Sequence, residues 1–258
     1  MKDLTIVKIG GNIIDNEKEL NKFLISFSKI KTAKLLVHGG GKLATELSTK
    51  LGIETKMVEG RRITDNETLK IATMVYAGLI NKSIVAKLNS HQTFAIGLCG
   101  ADVSLIPSQK RNKGNIDYGF VGDVISKKIN VAFLKLLLDK NISPVVAPIT
   151  STSKGQLLNT NADTIASALA SELGKYYKVK FIYCFEKEGV LNGNKVIKEL
   201  NERTYKELKQ TEVIKDGMIP KLDNAFMALE KGVNKITIGK ANELNKLLKQ
   251  HAGTSITK

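Results

Sequence analysis

The chain is poor in the residues that would commit it to metal, disulfide or nucleic-acid chemistry. Its two cysteines, Cys99 and Cys184, lie in apolar runs without ligand spacing, and its three histidines are dispersed. That pattern excludes a zinc-type cluster and describes buried, reduced thiols. Aromatic residues make up only 5%, so no stacking platform accompanies the basic residues. The formal charge of +15 is spread along the chain, with Lys110-Arg111-Asn112-Lys113 among its few compact groups, and this argues against a nucleic-acid face. A dispersed basic surface does raise the local concentration of small anions, such as a phosphorylated cofactor or a carboxylate substrate. No window reaches the ~18 uninterrupted apolar residues of a membrane span, and Lys8 and Gly10 interrupt the start before a signal-type stretch develops. A cytoplasmic protein with no membrane or nucleic-acid partner is expected. Low-complexity linkers, internal repeats, the Rossmann fingerprint and the Walker A loop are all absent.

What is present supports a full core: 258 residues, 42% of them hydrophobic, suffice for one large α/β domain or two smaller lobes. Leu4 to Ile9 reads as a short buried strand carrying Lys8, and Gly10-Gly11 turns the backbone sharply with its amides exposed. Alone, that K-x-G-G equally describes an ordinary glycine turn. Asn16 is positioned to cap a helix whose Leu20, Phe23, Leu24, Phe27 and Ile30 keep a 3.6-residue period. Lys34 to Val37 forms a second strand running into His38-Gly39-Gly40-Gly41-Lys42, ahead of a helix with Leu43, Leu47 and Leu51 at spacing four. Three consecutive glycines are entropically unfavourable for a plain turn, so close approach of a ligand at the helix N-terminus explains them better. His38 is read as packed or hydrogen-bonded rather than as a metal ligand.

Met57 to Ile63 suggests an exposed ribbon, in which Arg61-Arg62 is either surface charge or a fork for a carboxylate. A long helix follows from Thr64-Asp65 to about His91, then a strand over Phe94 to Leu98 and glycine-containing hairpins through Gly114, Gly119 and Gly122. Asn130 opens a helix, Ser143 to Ile149 reads as one strand, and Thr150 to Gln156 as a loop. Asn159, Asn161 and Asp163 cluster before a helix over Thr164 to Leu173; they are caps, or more than caps. Lys180 to Phe185 is a strand, Leu191 to Val196 an asparagine-glycine hairpin, and a polar helical segment runs to about Gln210. Asp216-Gly217-Met218-Ile219-Pro220-Lys221 introduces a further helix, before a strand at Lys235 to Gly239, a helix at Asn242 to His251 and a terminal strand. Alternating strands and helices specify an α/β, three-layer αβα sandwich with a mostly parallel central sheet, and ligands beyond the carboxyl ends of its strands.

Five segments carry a more specific signal: Val7 to Gly11, Val37 to Gly41, Gly60 to Thr64, Gly155 to Asp163, and Asp216 to Lys221. In this order and spacing the whole chain, 1–258, resembles the amino acid kinase family. The resemblance implies a single domain with an N-terminal lobe (1–175) for an acylated amino acid and a C-terminal lobe (176–258) for ATP. The implied reaction is ATP-dependent phosphorylation, with Mg2+, of the side-chain carboxylate of an N-acylated glutamate, N-acetyl or N-succinyl, to an acyl phosphate in arginine biosynthesis. By position, Lys8 and Lys221 would contact the transferring phosphoryl group, Asp163 would hold both lysines, and Gly11 with Gly40 would donate amides to it. Arg62 and Asn159 would hold the substrate's α-carboxylate and neighbouring groups, with Gly40 and Gly41 beside them. The nucleotide would lie along Glu186, Lys187, Glu188, Gly189, Val190 and Leu191, beside Val213, Ile214 and Lys215, with no metal ligand from protein side chains. Phe185-Glu186-Lys187-Glu188-Gly189 departs from the family's usual serine or threonine, aspartate and valine, which leaves open either a variable turn on the same path or altered nucleotide contacts. Arg61 would receive a second carboxylate if the acyl group were succinyl, or face solvent if not. Three residues before the first strand lead us to expect an arginine-insensitive homodimer. Sister kinases with another carboxylate or a carbamate substrate, and a non-catalytic nucleotide-binding regulator, are the alternatives.

Overall fold

The computed structural model describes residues 1–58, 61–112, 114, 116–215 and 217–258, and of Arg61 the backbone alone. Six parallel strands form the body of an eight-stranded sheet: Asp3–Ile9, Ala33–His38, Ala95–Leu98, Ser143–Val146, Lys178–Phe185 and Lys235–Lys240. The opening strand lies inside the sheet, between Lys178–Phe185 and Ala33–His38. Two short strands, Thr254–Ile256 and Glu199–Leu200, extend one edge in the opposite direction. Along the opening strand Leu4 and Ile6 enter one core, and Val7 and Ile9 the other. This period-2 division buries both faces of the sheet. Helices Val131–Asp139, Ala162–Leu173 and Met218–Glu230 cover the first face; Glu17–Ser28 and the long helix from Asn66 to Ser90 cover the second. The three-layer αβα sandwich read from the sequence is the architecture found.

Local departures have physical causes. The apolar run 143–149 breaks at Ala147-Pro148: Ser143–Val146 stays in the main sheet, while Ile149–Ser151 joins a second sheet with Ser108–Lys110, Val121–Val124 and Leu157–Thr160. Ala147 N still donates to Leu98 O at 2.8 Å, and the chain leaves the main sheet at Pro148, which has no N–H to continue the ladder. The segment read as a loop over 150–156 is thus a hairpin, closed by Gly155 N donating to Thr152 O. On the helix Gly41–Lys50 it is Ala44 and Ser48, not the leucines at spacing four, that are buried, and Leu51 is exposed. The last helix is shorter than read: a 3-10 turn at Ala241–Glu243 precedes Leu244–Leu248.

The long helix begins as expected, with Asp65 accepting from Thr68 N at 2.8 Å. Its middle, Thr73–Ile80, is π-wound. By length and composition alone this helix could cross a membrane, but 44% of its apolar window is buried in the protein. It lays Leu69, Ile71, Val75, Ile80, Ile84 and Leu88 against the fold and works as a core helix.

One buried asparagine on this helix joins it to two strand ends. Asn81 Nδ2 donates to Val145 O at 2.9 Å and lies 3.1 Å from His38 Nε2. His38 Nδ1 sits 2.8 Å from Gly39 O. The network is consistent only with a neutral ring that donates from Nδ1 and accepts at Nε2. Full burial drives its pKa down to about 4, against the opposing influence of the Gly39 carbonyl. Between pH 6.5 and about 4 the unfolded chain therefore holds a proton that the folded chain does not, so stability falls as pH drops through that window. The expected loss is about 3 kcal/mol. Urea titrations across pH 4–7 should show this slope in wild type and a flattened one in His38→Gln.

Candidate functional site

The carboxyl end of the opening strand delivers Lys8, whose side chain is only 9% exposed, to within 2.6 Å of Asp163 Oδ1. The other carboxylate oxygen faces Lys221 Nζ at 3.4 Å. Asp163 stands in the first turn of Ala162–Leu173, fixed by Asn161, whose side chain accepts from the backbone N–H of Asp163 (2.8 Å) and Thr164 (3.1 Å). Lys221 stands in the first turn of Met218–Glu230. Burial works to raise the Asp163 pKa, but the two ammonium groups outweigh it and hold the carboxyl below its usual 3.8. One helical turn deeper a second polar link joins the same two helices. Tyr183, the register neighbour of Lys8, lies with its hydroxyl 2.6 Å from Ser167 Oγ, which donates to Asn224 O at 3.3 Å.

Two clefts meet at Asp163 and Lys221. The first, about 230 Å3, is lined by Lys8, Gly11, Gly39 to Gly41, Arg62, Asn159 and Asp163 among others. The two glycine turns stack here: a Cβ on Gly11 would lie 3.7 Å from Gly41 N. Gly40 has φ +143°, and a Cβ there would fall 2.2 Å from Ile80 Cδ1, so no other residue fits without displacement. Arg62 is oriented by three hydrogen bonds, to Thr55 Oγ1 (2.9 Å), Gly41 O (3.0 Å) and Thr45 Oγ1 (2.7 Å). Asn159 reaches the cleft from the strand Leu157–Thr160 and donates to Thr64 Oγ1 at 3.1 Å. Sequence reading missed Tyr76, Met57, Val121 and Pro148, which complete the lining. Their placement comes from tertiary pairing: Met57 lies opposite Arg62 on a two-stranded ribbon, Val121 in the second sheet, Pro148 just before its strand Ile149–Ser151, and Tyr76 in the π-wound segment.

The second cleft, about 440 Å3, is lined by Glu186, Lys187, Gly189, Val190, Leu191, Val213, Ile214, Lys215 and Lys221, with Phe185, Gly193, Gly217 and Met218. Glu188 does not line it: the residue is exposed, and its charge acts on Lys246. The turn is locked behind it, because a Cβ on Gly189 would meet Thr254 Oγ1 at 2.7 Å and Val190 N donates to that same oxygen at 2.8 Å. Gly60 and Asp216, from the sequence motifs, lie outside the described residues, as does the side chain of Arg61. Among the described residues no group of three or more His, Cys, Asp and Glu side chains is arranged to hold a metal ion.

Fold and site together define an α/β protein with two clefts on either side of a lysine–aspartate–lysine junction. The chain belongs to the amino acid kinase family, whose model matches residues 3–240. It is 55% identical to the acetylglutamate kinase of Cytophaga hutchinsonii over 256 residues, covering 97% of this chain and 96% of that one. It is 50% identical to that of Phocaeicola vulgatus over 259 residues, covering 99% and 98%. Among solved structures, smu.665 from Streptococcus mutans UA159 superposes with a TM-score of 0.82 at 27% identity, covering 100% of this chain and 99% of that one.

Removing the central carboxylate would leave two cations facing each other at a buried point. Asp163→Ala is therefore expected to lower folding stability by about 3 kcal/mol or more, read as a shift in urea midpoint. The depressed pKa sets the sign of the pH effect in wild type: this contribution is present above pH 3.8 and is lost only as pH falls further. It is thus separable from the His38 slope, which ends where it begins.

Proposed function

We propose that this chain is an acetylglutamate kinase, transferring the γ-phosphoryl group of ATP to the side-chain carboxylate of N-acetyl-L-glutamate, a step in arginine biosynthesis. The observation that carries the reading is the Asp163 carboxylate, which pairs with Lys8 in one cleft and Lys221 in the other. In this reading the first cleft takes the acylated amino acid and the second the nucleotide, corresponding to lobes 1–175 and 176–258 on one continuous sheet.

The acceptor is a carboxylate with a pKa of about 4.3, so it is already ionised at neutral pH and needs no general base. What the reaction does need is the alignment of two anions that repel each other, and stabilisation of charge on the phosphoryl oxygens. Lys8 and Lys221 approach that group from the two clefts, Asp163 keeps them apart at a fixed spacing, and the amides of Gly11 and Gly40 add donors. Arg62 and Asn159, with Gly40 and Gly41, hold the α-carboxylate end of the substrate. Glu186, Lys187, Gly189, Val190, Leu191, Val213, Ile214 and Lys215 line the nucleotide's path. Both Asp163 oxygens are engaged by lysines, so Mg2+ would arrive as part of the MgATP substrate rather than as a protein-held ion. The side chain of Arg61, on which the succinyl alternative depends, lies outside the described residues; the relatives named acetylglutamate kinase support the acetyl substrate.

We further propose a homodimer in the cytoplasm. Exposed Met74 and Leu79 on the long helix, with Phe94 just before and Ile96 within the outer strand Ala95–Leu98, give an apolar edge of the kind that chains cover by pairing. Light scattering of the purified protein should return the dimer mass, and a monomer at micromolar concentration would refute it.

Coupled measurement of ADP release should detect turnover that depends on N-acetyl-L-glutamate. Lys8→Ala and Lys221→Ala should each lower kcat by about 10²- to 10³-fold with smaller changes in KM. Arg62→Ala should chiefly raise KM for the amino acid. Folded lysine variants with wild-type turnover would remove the mechanism.

A further inference from the structure

Tyr76 belongs to none of the motifs that identify the site, yet it lies along the floor of the first cleft. It is 5% exposed. Its ring runs lengthwise over the glycine turn: Cδ1 is 3.5 Å from where a Gly40 Cβ would stand, and the hydroxyl is 3.9 Å from where a Gly41 Cβ would stand. Arg62 Nη2 is also 3.9 Å from that second point. Phenol and guanidinium therefore converge on the same spot above Gly41. The backbone that delivers the tyrosine is the π-wound stretch Thr73–Ile80, which shifts the phase of the long helix between its two α-helical halves. It sets Tyr76 and Ile80 against Gly40 while Asn81, next in the chain, engages His38 and Val145. Such windings are uncommon and recur at functional sites.

Donor counting gives the hydroxyl a direction. A guanidinium has only N–H donors, so Arg62 can supply the phenol oxygen but cannot accept its hydrogen. Among the described residues the Tyr76 hydroxyl has no hydrogen bond to an acceptor, and the cleft is the open side. Burial raises its pKa, against the nearby Arg62 charge, so the group stays protonated at neutral pH and is available as a donor.

We infer that Tyr76 is a specificity-determining residue, whose hydroxyl donates a hydrogen bond to the substrate α-carboxylate beside Arg62. The inference rests on the acetylglutamate kinase reading and deepens it. Arginine alone attracts any anion; a phenol at a fixed distance from it adds a second donor at a set angle and favours a planar carboxylate in one orientation. A tyrosine that only packed on Gly40 would need its ring and not its oxygen.

The test is calorimetric titration of wild type and Tyr76→Phe, without nucleotide, with N-acetyl-L-glutamate and with the analogue whose α-carboxylate is a primary amide. Tyr76→Phe should bind the acid about 10- to 100-fold more weakly, as expected for one hydrogen bond to a charged group. In steady-state assays the loss should appear in KM for the amino acid rather than in kcat, with KM for ATP unchanged. Toward the amide, whose carbonyl oxygen still accepts but carries no charge, the loss should be smaller, about 2- to 10-fold. Equal affinity of Tyr76→Phe and wild type for the acid would overturn the inference, as would an equal proportional loss toward acid and amide. Wild-type protein that neither binds nor phosphorylates N-acetyl-L-glutamate would overturn the functional reading and this inference with it. Wild-type turnover with an indifferent Tyr76→Phe would overturn this inference alone.

Discussion

The arrangement depends on one carboxylate shared by two lysines. Lys8 is buried, and an isolated ammonium there would face a desolvation penalty of several kcal/mol. Asp163 compensates it at 2.6 Å and has a second oxygen left for Lys221 at 3.4 Å. The junction still carries net positive charge, two cations against one anion, at the meeting point of two clefts. A buried ion pair is weak evidence for stability but good evidence for geometry. Here its value is that neither lysine can drift while an anion is absent. The rung below, Tyr183 to Ser167 to Asn224 O, fixes the same two helices through neutral groups. The spacing of the charges is thus set by the scaffold and not by the charges alone.

The glycine turns solve a complementary problem. Charge on transferring oxygens is stabilised most economically by donors that need no reorganisation, and backbone amides qualify only where the chain can come close. Gly39 N is already used by Ile9 O at 3.1 Å and Gly10 N by Cys184 O at 3.2 Å, so the turns are anchored to the sheet through their first residues. The following residues, Gly11 and Gly40, remain at the cleft. Behind them the helix Gly41–Lys50 points its N-terminus at the same space, which favours an anion there.

Much of this was legible in the sequence, for reasons tied to particular residues. Asn16, Asp65, Asn130 and Asn161 announce helix starts because a short side chain accepting an N–H is local chemistry. Lys8, Gly11, Gly40, Arg62, Asn159, Asp163 and Lys221 stand in segments whose order is diagnostic, and the fold brings them to one region. What was not legible depends on distant pairing. Ile149–Ser151 is a strand only because Leu157–Thr160 is beside it, and Asn159 and Val121 share a cleft only because their strands pair. Tyr76 sits in a uniformly apolar stretch, MVYAGLI, where nothing in periodicity reveals π winding. Glu188 falls outside the lining of the second cleft, and its adjacency in sequence to Gly189 does not tell which side of the turn its side chain leaves from.

Arg62 is held in place before any ligand arrives. Three of its five N–H groups are held by Thr55, Thr45 and the Gly41 carbonyl before any ligand arrives. A flexible arginine would lose about 0.5–1.5 kcal/mol of rotamer freedom on binding; this one has lost it during folding. The same bonds make the guanidinium part of the glycine turn, since Gly41 supplies one acceptor and Thr45, one turn along the same helix, another. Movement of the helix Gly41–Lys50 would therefore move Arg62 and the backbone of Gly40 and Gly41 together. In the proposed function, the end of the cleft that reads the amino acid and the amides beside the reacting group would then be mechanically one piece, so a ligand that misplaced its carboxylate at Arg62 would also misplace the donors needed for transfer. Discrimination at one end of the substrate would in this way be expressed in the rate at the other.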